Sequence, residues 1–256
     1  MIMAEKNIQL IIEYDGSNYS GWQSQQNAQT VQDTVEYAIY QTTGIQLKTI
    51  AAGRTDAGVH AFGQSANFKI DHTIDPEKYK DALNHYLPED IRILKSQEVA
   101  DDFNSRFDAR SKIYRYRIGF DKSALLYKYR WEYEEDIDLT KLTESAKFII
   151  GEFDFAPFCV VASRKENNVC KIYESNWQIL ETEAIYEVKG ERFLHSMVRS
   201  LVGAMVNLSR IKKDKNKQNL TLESFKDIIQ SSTEERIVYT APAHGLYLVS
   251  VQYEKD

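Results

Sequence analysis

The chain has 256 residues, 43% of them hydrophobic and 27% charged, the make-up of an ordinary globule with room for one large domain or two small ones. No apolar run approaches the roughly 20 residues needed to span a bilayer. The N-terminus MIMAEKNIQLIIEYDG has an acidic break and no cleavage-site pattern, so neither a membrane span nor a signal peptide is expected. A formal net charge of −6 argues mildly against nucleic acid as a partner. Cys159 and Cys170 are too few for a disulfide framework or a metal cluster. Read as reduced thiols, they fit a cytoplasmic protein.

Residues 8–14 form an apolar, β-branched run closed by Asp15-Gly16, the pattern of a strand ending in a turn. Tyr19, Gly21, Trp22, Gln23 and Gln25 follow, with Trp22 suited to anchoring a core. Thr30 is placed to cap a helix in which Val31, Val35, Ala38 and Ile39 recur at helical spacing until Gly44 stops it. Residues 51–61 read AAGRTDAGVHA, an acid between an arginine and a histidine, punctuated by Gly53 and Gly58. Asp and Thr can bond their own backbone here while glycine supplies positive φ, so a tight turn accounts for this spacing as readily as a catalytic acid does. Residues 64–70 read as a strand. Asp75-Pro76 then opens a helix with Tyr79, Leu83, Tyr86 and Leu87 on one face. A strand–helix–strand–helix unit is complete by Pro88.

From Val99 the chain runs VADDFNSRFDARSKIYRYRIGF, with residues 113–118 alternating as a strand that carries a basic or mixed face. Residues 105–130 hold eight bases, namely Arg106, Arg110, Lys112, Arg115, Arg117, Lys122, Lys128 and Arg130, against Asp108 and Asp121. Residues 210–217 add five bases against Asp214, while Glu132, Glu134, Glu135, Asp136 and Asp138 gather acidic charge. Each basic cluster suits a solvated face as well as an RNA contact. Residues 139–150 read as a helix through Leu142, Ala146, Ile149 and Ile150, closed by Gly151. A polar loop over residues 154–168 carries Arg164 and Lys165 at its tip. Residues 177–180 and 185–189 read as strands around a turn.

Residues 193–208, FLHSMVRSLVGAMVNL, read as an apolar helix with Phe193, Met197, Leu201, Met205 and Leu208 on a buried face. Arg199 is conspicuous there, and an outward-pointing side chain is one account of it. His195 reads as a satisfied or edge histidine. A last helix over residues 222–230 precedes the segment APAHGLYL at 241–248 and a final strand over 246–251. Strands and paired helices in each half predict two similar α+β domains, residues 1–105 and 106–256.

The stretch GRTDAGVH at residues 53–60 resembles the active-site signature of the tRNA pseudouridine synthase A family, and the likeness extends along nearly the whole chain. Tyr19 with Gly21-Trp22-Gln23, the run Phe103, Arg106, Phe107, Ala109, Lys112, Tyr114 and Tyr116, the segment around Met197-Val198-Arg199, and the closing APAHGLYL resemble further motifs of that family. The resemblance implies the pseudouridine synthase fold, with the sheets of two α+β domains joined around a central catalytic cleft. It implies that Asp56 is the catalytic residue, that Arg199 sits beside it and that Tyr114 lines the uracil pocket. Substrate-binding roles are implied for Arg54, Arg106, Arg110, Lys112 and Leu246. The implied substrate is uridine at nucleotides 38 to 40 of the tRNA anticodon stem-loop, bound across a homodimer. Where Cys159 and Cys170 stand, bacterial relatives commonly carry arginine.

That reaction breaks a uridine N-glycosidic bond, turns the base and rejoins it through C5. It calls for no metal or other cofactor, in keeping with a sequence that has no phosphate-binding loop, dinucleotide fingerprint or metal spacing. It calls for an ionised carboxylate near ribose and base, and a buried carboxylate needs an adjacent cation to stay charged. Two other readings compete. An RNA-binding module that kept only the fold would be marked by loss of the acid, and Asp56 is present. A glycoside hydrolase would want two carboxylates facing one bond, and the motif offers one.

Overall fold

The computed structural model describes residues 5–212, 219–231 and 239–254. In chain order the regular elements are β1 (Lys6–Tyr14), α1 (Val31–Thr43), β2 (Ile50–Ala51), β3 (His60–Ile70), α2 (Tyr79–Asn84), β4 (Ile91–Val99), β5 (Ser111–Gly119), β6 (Trp131–Glu132), α3 (Leu139–Lys147), β7 (Gly151–Asp154), β8 (Val169–Ile179), β9 (Glu183–Gly190), α4 (Met197–Ser209), α5 (Leu222–Ser231) and β10 (Leu246–Gln252). The class is α+β, as expected. Two compact units form, Met1–Lys112 with Tyr247–Asp256, and Ile113–Leu246. Division of the sequence at residue 105 leaves out a return of the chain. The C-terminal residues rejoin the first unit because β10 pairs in parallel with β3, Tyr247 opposite His60 and Leu248 opposite Ala61.

In the first unit the strand order is β4-β1-β3-β10, with β2 also on β3. Alternation along β1 explains the arrangement. Ile8, Leu10 and Ile12 are fully buried, while Asn7 and Gln9 on the opposite face are buried polar residues. That second face carries a hydrogen-bond network rather than an apolar core. Asn67 Nδ2 donates to Asn7 Oδ1 and Gln9 Nε2 to Ser65 Oγ, while Tyr253 Oη donates to the Ser105 carbonyl and shares a hydrogen bond with Ser65 Oγ. Helix α1 is capped as its sequence implies. Thr30 Oγ1 accepts from Asp33 N at 3.2 Å, a cap that stabilises by about 1 kcal/mol. Gly44, at φ 72°, returns its N–H to the Tyr40 carbonyl.

In the second unit the order is β5-β9-β8-β7, with β6 parallel to β5. Helices α3, α4 and α5 pack on one another, α3 also against β8 and α5 against β7. Phe155, Phe158 and Phe225 are fully buried and meet in sequence, first tilted and then edge-on, with centroids 6.2 and 5.9 Å apart. Cys159 and Cys170 are buried free thiols.

Several expected boundaries shift. Asp75 forms no side-chain cap, α2 stops at Asn84, and Tyr86 is exposed rather than on a buried face. Strand β4 is not announced by the sequence because its outer half, with Leu94 and Lys95 exposed, breaks strict alternation. Helix α3 ends at Lys147, and Gly151, at φ 132°, starts β7 instead of closing a helix. Helix α4 begins at Met197, four residues later than its apolar pattern suggests, since Ser196 takes a left-handed φ of 58°. Lys213, Asp214, Lys215 and Lys217 of the second basic cluster lie outside the described residues.

Candidate active site

Residues 52–59 connect β2 to β3 and carry Asp56. Ala52 donates its N–H to the Ser65 carbonyl, and Gln64 Nε2 donates to the Gly53 carbonyl at 2.9 Å. The middle of the loop is held from the side by the segment after β1. Trp22 N donates to the Thr55 carbonyl at 3.1 Å, Tyr14 Oη and Thr55 Oγ1 share a hydrogen bond of 2.8 Å, and Gly58 N donates to the Tyr19 carbonyl. Such closeness requires glycine. A Cβ on Gly21 would lie 2.5 Å from the Thr55 carbonyl oxygen, and one on Gly16 would lie 2.0 Å from that of Val59. The Tyr19–Gly21–Trp22 motif is therefore the cradle of the Asp56 loop. No periodicity argument could find that role, because it is made by backbone.

The loop closes in a β-turn in which Val59 N donates to the Asp56 carbonyl, with Gly58 at φ 77° in the third position, as a type II turn demands. Turn and acid are thus the same feature: the geometry that explains the glycine also presents Asp56. The Asp56 side chain is half-buried between exposed Arg54 and Ala57. Burial lifts the Tyr14 phenol well above its ordinary range, so that it stays protonated beside Thr55. His60 is buried behind the loop, its Nδ1 3.0 Å from Asp15 Oδ1 and 3.1 Å from Gly16 N. Its ring stacks on Tyr247, which stacks in turn on Phe62.

Basic groups lie close to this loop, with Lys112 against it and Arg106 near Lys112. Lys112 lies against Gly53, its Nζ 3.7 Å from where a Cβ would stand. Burial lowers its pKa and the nearby Arg106 guanidinium lowers it further. Arg106 and Arg110 are exposed, and neither makes an ion pair among the described residues. Four of the other five bases in the cluster differ. Arg115 and Arg117 bind Glu187 and Glu183, Arg130 binds Asp121 and Lys122 binds Glu134. The basic strand face read from residues 113–118 is neutralised by β9.

Tyr114, Arg199 and Leu246 belong to the second unit. Tyr114, Tyr116 and Ile118 alternate on the buried face of β5, and Tyr114 meets Phe193 edge-on at 5.1 Å and 81°. Arg199 does not point outward. It is half-buried in the first turn of α4, where Nε donates to the Ala241 carbonyl at 2.8 Å and the Ala241 N–H returns to the Arg199 carbonyl. The same closing segment is pinned by Tyr116 Oη, which donates to the Pro242 carbonyl. A Cβ on Gly245 would lie 2.6 Å from the Tyr116 ring. Burial raises the Tyr116 phenol and the Arg199 charge opposes that rise. Sequence alone gives no role to Ala241 and Gly245, whose signal is the closing APAHGLYL segment, or to Tyr116, which it places only in the motif that ends at Tyr116. Leu246 is buried. His195 accepts or donates at Nδ1 with Ser163 Oγ, 2.7 Å away, and its carbonyl receives Val160 N, tying the 154–168 loop to the turn before α4.

A family model described as tRNA pseudouridine synthase matches residues 10–108 and 146–254. The chain is 41% identical to tRNA pseudouridine synthase A of Acetivibrio thermocellus, covering 97% of this chain and 100% of that protein. It is 39% identical to the protein of the same name from Prochlorococcus marinus, covering 98% of this chain and 92% of that one. A chain of an archaeal box H/ACA Nop10–Cbf5 complex is similar at 12% identity and a TM-score of 0.33 over 93% of this chain and 58% of its own, a likeness too low to argue from. The family match over residues 10–108 and 146–254, with 41% identity across nearly the whole of a relative, places this chain in the tRNA pseudouridine synthase family.

Proposed function

We propose that the chain is an isomerase that converts uridine to pseudouridine in tRNA. The bond from uracil N1 to ribose C1′ breaks, the base turns, and C5 bonds to C1′ while a proton leaves C5 and N1 gains one. No net redox change or hydrolysis occurs. The observation that carries this reading is the clamped loop of residues 52–59, which presents a single carboxylate, Asp56, on backbone held from both sides.

Asp56 acts as the ionised carboxylate at the ribose and base, and Arg199 is the cation that favours its charged form. Arg199 Nε is committed to Ala241, which orients the guanidinium plane. Tyr114 receives the flipped uracil, and flipping costs a few kcal/mol that an aromatic platform offsets. Arg54, Arg106, Arg110 and Lys112 follow the phosphate backbone, and Leu246 borders the base. The target is the anticodon stem-loop, nucleotides 38 to 40. The protein works in the cytoplasm as a homodimer, with tRNA lying across both subunits. Among the described residues no helix is long and apolar enough to cross a membrane.

Mapping pseudouridines in unmodified tRNA after incubation with the protein tests the reading. Modification confined to nucleotides 38 to 40 is expected, and no modification would overturn it. Light scattering tests the dimer, since a mass near 29.7 kDa would mean a monomer.

A further inference from the structure

We propose that Phe107 is a stacking platform for an unpaired base of the RNA substrate, outside the uracil pocket. The proposal rests on the function above and adds a base-stacking contact that contributes affinity for the RNA. Phe107 is 75% exposed, whereas Tyr114 and Tyr116 of its motif are buried and Phe103 is half-buried against Tyr253. A phenyl ring held in water forgoes the burial that stabilises most such rings, so a reason for holding it there is called for.

The backbone beneath the ring is built to hold it out. Asn104 Oδ1 accepts the N–H groups of both Arg106 and Phe107, and Asp108 Oδ2 accepts that of Asn104. Below them Ser105 is fully buried, its N–H donating to Asn67 Oδ1 and its carbonyl accepting from Tyr253 Oη. Asn7 Nδ2 and Asn67 Nδ2 both donate to the Phe103 carbonyl. The buried polar face of the first sheet is therefore spent on fixing this turn. A loop tied at so many points loses little entropy when a ligand settles on it.

Charge identifies the ligand class. The Arg106 guanidinium lies 5.5 Å from the Phe107 ring centroid, and Arg110 follows on the same loop. Neither arginine has a carboxylate partner among the described residues, while the neighbouring acids are engaged elsewhere: Asp101 binds Lys69, Asp102 acts on Lys69 as well, and Asp108 caps Asn104. An exposed aromatic face beside the Arg106 cation, on a loop that also carries exposed Arg110, suits a nucleotide, whose base has a π-face and whose phosphates carry the charge. The path is also continuous with the Asp56 loop, because Arg106 acts on Lys112 and Lys112 lies on Gly53.

Filter binding of unmodified tRNA across a salt series, with single-turnover pseudouridine formation by the same preparations, tests the assignment. Phe107→Ala should weaken binding roughly 5- to 150-fold, the range of one lost base–aromatic stack, with the salt slope unchanged. Arg106→Ala should instead lower the slope by about one phosphate. Phe107→Tyr should restore binding and Phe107→Leu should not. Binding of Phe107→Ala within twofold of wild type would overturn the proposal, as would full rescue by leucine, which keeps apolar bulk without a π-face. A fall in light-scattering mass for Phe107→Ala would assign the ring to a contact between copies and overturn it too. Wild-type protein that forms no pseudouridine would count against the enzymatic reading. An active wild type with an indifferent Phe107→Ala would count against this platform alone.

Discussion

Gly21 stands so close to Thr55 that a Cβ at position 21 would come 2.5 Å from the Thr55 carbonyl oxygen. The next residue, Trp22, donates its N–H to that same oxygen. Gly21 also holds a φ of 90°, which an L side chain rarely adopts. Gly21→Ala must therefore both displace the Asp56 loop and strain its own backbone, at a cost on the order of 1–3 kcal/mol. For a chain of this size that is a fall of about 2–10 °C in melting temperature. The rate should fall further than the stability suggests, at least roughly tenfold, because small misplacements of a reacting group are costly. Thermal melts and single-turnover rates check this. A variant with wild-type values in both would mean that the cradle does not position Asp56.

Asp56→Asn should abolish turnover while leaving tRNA affinity within about twofold. The amide is nearly isosteric, and the backbone bonds that clamp residues 52–59, from Trp22 N to the Thr55 carbonyl and from Gly58 N to the Tyr19 carbonyl, are made by main-chain atoms. It is neither a nucleophile nor a negative charge. Pseudouridine formation above about 1% of the wild-type rate would remove Asp56 from the chemistry.

Arg199→Lys is expected to be nearly as damaging as loss of the charge. Arginine gives Nε–H to the Ala241 carbonyl and still has two terminal nitrogens for other acceptors. A lysine ammonium that reaches Ala241 cannot also present a planar fork. The rate should drop roughly 100-fold or more with folding retained, because the Ala241 N–H to Arg199 carbonyl bond is backbone and survives. Unchanged activity in a single-turnover assay would make Arg199 a residue of packing alone.

How much of this was readable in the chain differs by feature. Thr30 and Gly44 bracket α1 as local capping chemistry demands, since both ends are decided within four residues. The start of α4 was not readable, because Phe193 and Leu194 continue the apolar pattern through a turn that only the left-handed Ser196 reveals. The Asp56 motif stood out, but the reason for Gly16 and Gly21 did not, since each answers to a backbone carbonyl far along the chain. The basic run over residues 105–130 looked uniform for the same reason. Glu183 and Glu187, which neutralise Arg117 and Arg115, come from β9. Pairing of β5 with β9 silences those two charges, and Asp121 and Glu134 engage Arg130 and Lys122, which leaves Arg106 and Arg110 exposed.

Lys112 carries the last prediction because its two roles oppose each other. It is half-buried against Gly53, and both burial and the Arg106 charge lower its pKa. A lysine whose pKa is lower in the folded state than in the unfolded chain binds fewer protons when folded, so folding becomes more favourable as pH rises from the folded value toward the ordinary one near about 10.4. At neutral pH the protonated side chain is therefore a net cost to the fold. Lys112→Met keeps the length of the stem and removes the charge. It should raise the melting temperature at pH 7, and that advantage should shrink as pH approaches 10. The same change should weaken tRNA binding, roughly three- to tenfold at moderate salt, with a salt slope lower by about one. A site that tolerates a destabilising charge for the sake of its ligand behaves in this way. Thermal melts at several pH values beside a filter-binding salt series read both effects, and a variant that is less stable yet binds tRNA normally would show that Lys112 serves the fold and not the RNA.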